Sequence, residues 1–439
     1  MTAALLLVLV ACASPWAFGA VEPYWWSIAA GSCLVIAAGS FAVRALGRGD
    51  DTRLPPVATR LAIALPALAL AGLLPIPMAV REILSPAAAR VLAAADPAAA
   101  TGWRPISLDP HGTLVAACVA AACAATFWIV AASSLDARRA RVLTGLFLAS
   151  GALLAAFGLW HRLAHYDPRA VFWGSWRVEL PDEATPFGPY VNRNHFAGAM
   201  ELVTGVAAGS ALAAFESRRR AAGVLCAAVG ALAAVAAIVT MSRGGLIGLA
   251  AGAVVLVAAA GGRTRRRVAL AAVAVIAVTI AVLWATGLLE DLAGRFEVSS
   301  EGRWKNRFAV QWDAVRVFAG NPVLGTGAGS FEAAYPPFQS VADVRFFNNA
   351  HSDWAQFLME TAIAGVVFVV LAVREIVPRG VRAATTRAPS RWLCLGPLAG
   401  CASVAAHGFF DVNLHVPANA LLFAVALSLA YAAAVRDST

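Results

Sequence analysis

The feature that most constrains this chain is a run of about twenty apolar residues that recurs along its length. Such runs occupy 3–22, 24–43, 60–80, 112–133, 142–164, 195–216, 221–240, 244–261, 267–287, 354–373, 391–410 and 417–436. A helix rises about 1.5 Å per residue, so a run of this length reaches across roughly 30 Å of hydrocarbon. In lipid each backbone polar group must be satisfied without water, which makes helices the expected conformation. Only 13% of the residues are charged, against about 25% in soluble domains. The expected fold is an all-α polytopic membrane protein of about twelve transmembrane helices, a single integral membrane domain over 1–439.

Charge placement carries the orientation. Alternate connections hold Arg44, Arg48, Arg53 and Arg60; Arg138, Arg139 and Arg141; Arg218, Arg219 and Arg220; Arg263, Arg265, Arg266 and Arg267; and Arg374, Arg379, Arg382, Arg387 and Arg391. Short basic loops stay in the cytoplasm, so both termini are expected inside, with an even number of spans. The formal net charge of +9 is then a topology signal and not a nucleic-acid one. The seven cysteines lie in apolar runs without a Cys-x-x-Cys pair. They read as small buried hydrophobes, with no disulfide framework and no metal site.

The connections facing the other way are the long ones: 81–111, an outer loop over 165–194, and a large loop over 288–353. Loops beyond about 15 residues are usually functional or disordered. The last is not of low complexity, so function is expected there, on short amphipathic helices. From Arg303 to Gly320, Trp304, Phe308, Trp312, Val315 and Phe318 share one helical face. Ser299 or Ser300 is placed to cap this helix, and Gly320-Asn321-Pro322 ends it. Arg303 and Arg307 are neighbours on its surface. Two adjacent guanidiniums suit a diphosphate, and equally suit lipid headgroups.

Polar residues gather where the long loops meet the spans. Asn192, Arg193, Asn194 and His195 open the sixth span, and Glu201 follows on the face of Asn194. Ser242-Arg243 sits at a tight turn, and the seventh and eighth spans read as one hairpin around it. Asn348 to Asp353 opens the tenth span, with Glu360 two turns in, on the face of Asp353. His407, Asp411 and His415 form a fourth group, for which pocket and purely structural roles are both open. Ionisable groups at membrane depth are costly, which marks Glu201 and Glu360 as site candidates; the plain alternative is pairing with an arginine. His351 precedes a helix start that Ser352 or Asp353 can cap, and the helix dipole there disfavours an imidazolium. A neutral imidazole suits a general base, and His195 shares that setting. Gly325-Thr326-Gly327-Ala328-Gly329 follows a helix and lacks a βαβ unit, so it is not a dinucleotide loop. No Walker motif, divalent-metal carboxylate cluster or Ser-His-Asp arrangement is legible, and no cofactor is expected.

These residues resemble the O-antigen ligase and polymerase superfamily of bacterial membrane glycosyltransferases. The resemblance rests on Asn192-Arg193-Asn194-His195-Phe196-Ala197-Gly198, Ser242-Arg243-Gly244-Gly245, and Gly302-Arg303-Trp304 through Trp312 to Pro322 and Gly325-Thr326-Gly327. Ala350-His351-Ser352 through Glu360 to Gly365, and the tail His407 to His415, complete it. It is close over 185–425; the first five spans match in topology alone. It implies a GT-C-like fold with a large periplasmic loop between helices 9 and 10. It also implies an inverting, metal-independent transferase moving a glycan from undecaprenyl diphosphate to lipid A–core or to a growing glycan, at the periplasmic face of the inner membrane. Arg243 and Arg303 match the family's diphosphate-binding arginines and His351 its catalytic histidine, while Arg307 joins them on helix spacing. Glu360 or Asp353 is then placed to orient His351, with Asn192, Asn194, His195, Glu201 and Asp411 in support. Polymerisation of repeat units on the lipid carrier is the alternative within the family. A lipid or solute transporter is the alternative outside it, and would bring inverted repeats and broken helices.

Overall fold

In the computed structural model, which describes residues 1–47, 54–96, 101–164, 185–285, 300–341 and 347–436, the chain is a helical bundle carrying a two-stranded antiparallel sheet. The helices are α1 (Thr2–Ala13), α2 (Pro23–Ala45), α3 (Pro56–Ala71), α4 (Met78–Leu84), α5 (Pro86–Ala95), α6 (Pro110–Ser133), α7 (Ala137–Leu163) and α8 (Arg193–Glu216). They continue with α9 (Arg220–Val239), α10 (Arg243–Ala259), α11 (Gly262–Ala285), α12 (Ser300–Ala319), α13 (Asp353–Thr385), α14 (Arg391–His407) and α15 (Pro417–Arg436). A helix therefore stands at every apolar run. Among the described residues seven helices (α2, α6, α7, α8, α9, α13 and α15) have the length and apolar character to cross a membrane. The helices α1, α3 and α10 are shorter; α1 gives way to two 3-10 turns, Ser14–Trp16 and Phe18–Ala20.

Short polar side chains set where several of these helices begin. Asp109, Asp136, Asn192, Ser242 and Ser352 each accept a first-turn backbone N–H, which answers donors that lipid leaves bare. The centre of the bundle is α8, buried along most of its length against α9 and α14. Gly205 and Gly209 of α8 meet Gly396 and Gly400 of α14 backbone to backbone, the close approach that small residues permit between membrane helices. The reading of α9 and α10 as one hairpin is corrected here. After a turn in which Met241 has φ +57°, α10 lies mainly on α14 and touches α9 little. Its glycine face, Gly244, Gly245, Gly248 and Gly252, fits α8 and α14 better than it fits α9.

The long connections fold on one another. Strands β1 (Pro75–Pro77) and β2 (Trp103–Pro105) pair antiparallel, with Ile76 opposite Arg104. The buried Arg81 of α4 donates to the carbonyls of Pro105 and Ile106, the latter at 2.9 Å. Asn321, just past α12, accepts from Ser85 Oγ at 2.8 Å and from the Ala88 N–H at 2.8 Å. The described parts of 72–113 and 306–341 thus form one layer. The 165–184 part of the outer loop, and residues 286–299 and 342–346 of the large loop, including Ser299, lie outside the described residues.

Two features were not specified by the sequence reading. On α12, Phe308 is 50% and Trp312 57% exposed, while Val310, Ala314 and Val317 pack inward. The buried Asp313 explains the choice: it accepts from Tyr335 Oη at 3.0 Å and from Ser340 N and Oγ at 2.9 Å each, so its face must point at 335–340. The helix α13 runs on well past the expected 354–373 but is broken at Ala362 (φ +49°, ψ −142°). A break in a helix frees backbone groups, and the 322–327 segment answers them. Thr326 N donates to the Met359 carbonyl (3.2 Å), Gly327 N to that of Glu360 (2.9 Å), and Ile363 N to that of Pro322 (3.2 Å). Irregular backbone among spanning helices is tolerated where protein satisfies it.

Candidate functional site

The N-terminal ends of α8, α10 and α13 and the C-terminal end of α14 converge, and residues 407–415 between α14 and α15 thread through the junction. Asp411 is the hub. Its Oδ2 accepts from Asn194 Nδ2 and lies 3.8 Å from Nη1 of Arg307 on α12, while Val412 N–H donates to Oδ1 at 2.8 Å. Burial pushes a carboxyl up, but the positive character of His195, Arg307, His407 and His351 outweighs it and holds Asp411 below the usual carboxylate range.

Asp353, first residue of α13, accepts from Asn413 N (2.8 Å), Leu414 N (3.0 Å) and His415 Nδ1 (2.7 Å). Ser352 caps α13 through Ala355 N and donates its hydroxyl to the Gly408 carbonyl at 3.0 Å. Burial disfavours the His415 imidazolium, yet the bond to Asp353 and the nearness of Glu360 hold His415 above the usual histidine value of 6.5. A raised pKa lends stability that is complete below 6.5 and fades as pH rises through the folded value. In thermal unfolding in detergent, the protein is therefore expected to exceed its His415→Gln variant at pH below 6.5 and to converge with it at higher pH. A difference independent of pH would contradict this.

Deeper in the bundle, Glu201 and His407 are fully buried, with Oε1 and Nδ1 2.8 Å apart. The other ring nitrogen, Nε2, stands 3.4 Å from Ser242 Oγ. On the α8 side Asn192 caps the helix, His195 gives its carbonyl to Asn419 Nδ2 (2.8 Å), and Asn419 Oδ1 accepts from Tyr190 Oη (2.8 Å). Gly198 leaves room for the Asn413 side chain, which a Cβ there would strike.

His351 sits just before the Ser352 cap in a left-handed backbone conformation, φ +52°. Asn349 Oδ1 accepts its N–H at 3.0 Å, and Gln311 Nε2 of α12 donates to its carbonyl at 2.7 Å. Its half-buried ring meets Phe347 edge-on, with centroids 6.2 Å apart.

The fold thus joins Asn192, Asn194, His195, Glu201, Ser242, Arg307, Asp353 and Asp411 in one network, with His351 at its edge. Arg243 is the half-buried first residue of α10. The side chain of Arg303 lies outside the described residues. Glu360 stands apart: its oxygens accept from Gly329 N (2.8 Å), Phe331 N (3.2 Å) and Gln356 Nε2 (3.1 Å), so it braces the 322–331 segment. The carboxyl of Asp353 is likewise spent on 413–415. Both acids therefore hold backbone, where orientation of the His351 ring was expected of one of them. Asn419 and Gln311 were missed, and Tyr190 and Asn413 were given no role; an asparagine within a spanning run, as at 419, was the available signal. A Ser-His-acid arrangement was also missed. Its members lie on three helices, with separations of 165 and 206 residues that no local motif displays.

The structure defines a multi-pass helical membrane protein with a polar basin of histidines, carboxylates and arginine at one end of its bundle. Residues 228–370 match the family model described as O-antigen ligase, which bears out the resemblance to the O-antigen ligase and polymerase superfamily. The matched stretch runs from α9 to just beyond the break in α13, and so holds Ser242, Arg243, Arg303, Arg307, His351, Asp353 and Glu360. No curated protein matches the chain.

Proposed function

We propose that the protein transfers a glycan from undecaprenyl diphosphate to an acceptor hydroxyl at the periplasmic face of the bacterial inner membrane, as an O-antigen ligase does. The observation that carries this reading is that Arg307, 3.8 Å from Asp411, and His351, whose carbonyl is held by Gln311 of the same helix as Arg307, come together, and both lie in the stretch that matches the family model. The donor's diphosphate is already a good leaving group and needs positive charge as the bond between the anomeric carbon and the phosphate oxygen breaks. Arg243, Arg303 and Arg307 supply it. The acceptor oxygen attacks the anomeric carbon from the opposite side, and its proton passes to His351. One displacement inverts that carbon, and the carrier departs as the lipid diphosphate. Asp411 holds Arg307, while Asp353 holds the 413–415 backbone that frames the basin. The alternating basic loops orient both termini to the cytoplasm.

The test is a reconstitution of purified protein with undecaprenyl-diphosphate-linked glycan, in EDTA, with and without lipid A–core. Product that requires lipid A–core is the expected result, with Arg307→Ala lowering turnover roughly 10²-fold or more. Longer carrier-linked chains formed without that acceptor would make the protein a polymerase. Unchanged turnover in Arg307→Ala would remove that arginine from the mechanism.

A further inference from the structure

The Ser242-Arg243 pair begins a helix, and this is an odd place for a guanidinium. The N-terminal end of a helix carries partial positive charge and favours anions, so Arg243 is not there to stabilise α10. Something must hold that first turn still if the arginine is to meet a ligand at a defined place. The structure supplies it from behind. Gly245 N donates to Ser242 Oγ at 3.1 Å, Ser242 Oγ stands 3.4 Å from His407 Nε2, and His407 Nδ1 stands 2.8 Å from Glu201 Oε1. With Glu201 as acceptor, Nδ1 carries the ring proton, Nε2 is left to accept from the Ser242 hydroxyl, and the Ser242 lone pairs accept from Gly245. In that tautomer every donor of the relay has one acceptor.

The surroundings agree with a fixed relay. Ser242 is 2% exposed, and Glu201 and His407 are wholly buried. Gly244 lies against the His407 ring, where an added Cβ would come 2.7 Å from Nε2. Gly248 lies against Glu201, where one would come 2.7 Å from Oε2. The Ser-Arg-Gly-Gly run therefore reads as one unit: a serine that links cap to relay, an arginine that follows it, and glycine that admits the imidazole. The order Glu-His-Ser resembles a nucleophilic triad. However, Ser242 is sealed from solvent and its oxygen is already engaged by the cap, so substrate does not reach it.

We propose that Glu201, His407 and Ser242 are positioning residues that lock the first turn of α10 and thereby aim Arg243 at the diphosphate of the donor lipid. This rests on the proposed function. Glu201 is then a support that acts on Arg243 through two intervening side chains. His407 also feels Asp411 and Asp353, so the relay is tied to the basin that holds Arg307.

The experiment is a double-mutant cycle on the full chain in detergent, with farnesyl diphosphate as the binding probe and thermal unfolding read alongside. Ser242→Ala and Glu201→Ala are each expected to weaken binding roughly tenfold, as is Arg243→Ala. Adding Ser242→Ala to Arg243→Ala is expected to weaken it no further, because both act through the same guanidinium. Glu201→Gln, whose amide oxygen still accepts from Nδ1, is expected to restore binding to within about threefold. In the transfer assay the relay variants are expected to raise donor KM and spare kcat for those molecules that bind. Additive losses, or relay variants that bind as the parent does while Arg243→Ala does not, would overturn the relay alone. No binding of the probe by the unaltered protein would overturn the diphosphate reading and the relay with it. Should Glu201→Ala fail to fold, the Ser242→Ala and Glu201→Gln cycles decide the matter.

Discussion

Replacing His351 by asparagine is expected to lower glycan transfer by roughly 10²–10⁴-fold while leaving folding and donor binding intact, the range that loss of a general base produces. Asparagine is the informative choice because of the backbone. His351 has φ +52°, a left-handed conformation that asparagine adopts more readily than most residues, so the turn into α13 survives the change. Two of the contacts that fix residue 351 are main-chain ones, its N–H to Asn349 and its carbonyl to Gln311, and neither needs an imidazole. What the variant lacks is a group that can accept a proton near neutral pH. The ring stands before a capped helix start, where a cation is disfavoured. Single-turnover transfer measured beside donor affinity separates the two functions. Full turnover in His351→Asn would remove the base assignment, and loss of both transfer and donor affinity would make His351 a binding residue.

How much of this was legible in the sequence depends on whether the relevant physics is local. Apolar runs place the helices, because lipid leaves the backbone few alternatives. The capping residues Asn192, Ser242 and Ser352 could be read as helix starts from type and position, and each does cap. The facing of α12 was not legible: its aromatic stripe is the strongest periodic signal, yet a single buried Asp313 decides which side packs. The basin was legible as separate clusters but not as a network, since its hub, 407–415, gains its meaning from partners on other helices. Asp353 and Glu360 share a helix face, as their spacing requires, but the break at Ala362 and the loops that fold beside them gave each carboxyl group its own set of backbone donors.

Replacing Glu360 by alanine is expected to destabilise the protein by about 3–5 kcal/mol, the largest stability effect among the candidate residues. Glu360 is 3% exposed, and Gly329 N, Phe331 N and Gln356 Nε2 all converge on it. Alanine leaves two backbone donors and an amide without their acceptor in a place where water does not replace it. The damage does not stop there. The segment held by Glu360 is the one that satisfies the break at Ala362, through Thr326 N, Gly327 N and Pro322 O. Release of Gly329 and Phe331 therefore exposes Met359, Glu360 and Ile363 backbone groups within α13 as well. Those are the first turns behind Ser352 and Asp353, so the loss reaches the basin through main-chain geometry and not through chemistry. Glu360→Gln is expected to fall between, because its amide offers one oxygen to donors that now use two. Thermal unfolding in detergent checks the order: wild type highest, Glu360→Gln next, and Glu360→Ala lowest, by several degrees. Limited proteolysis is expected to cut Glu360→Ala first within 322–331. Should Glu360→Ala melt like the parent yet lose transfer, Glu360 would act in the reaction itself, and the bracing role drawn from its three hydrogen bonds would be wrong.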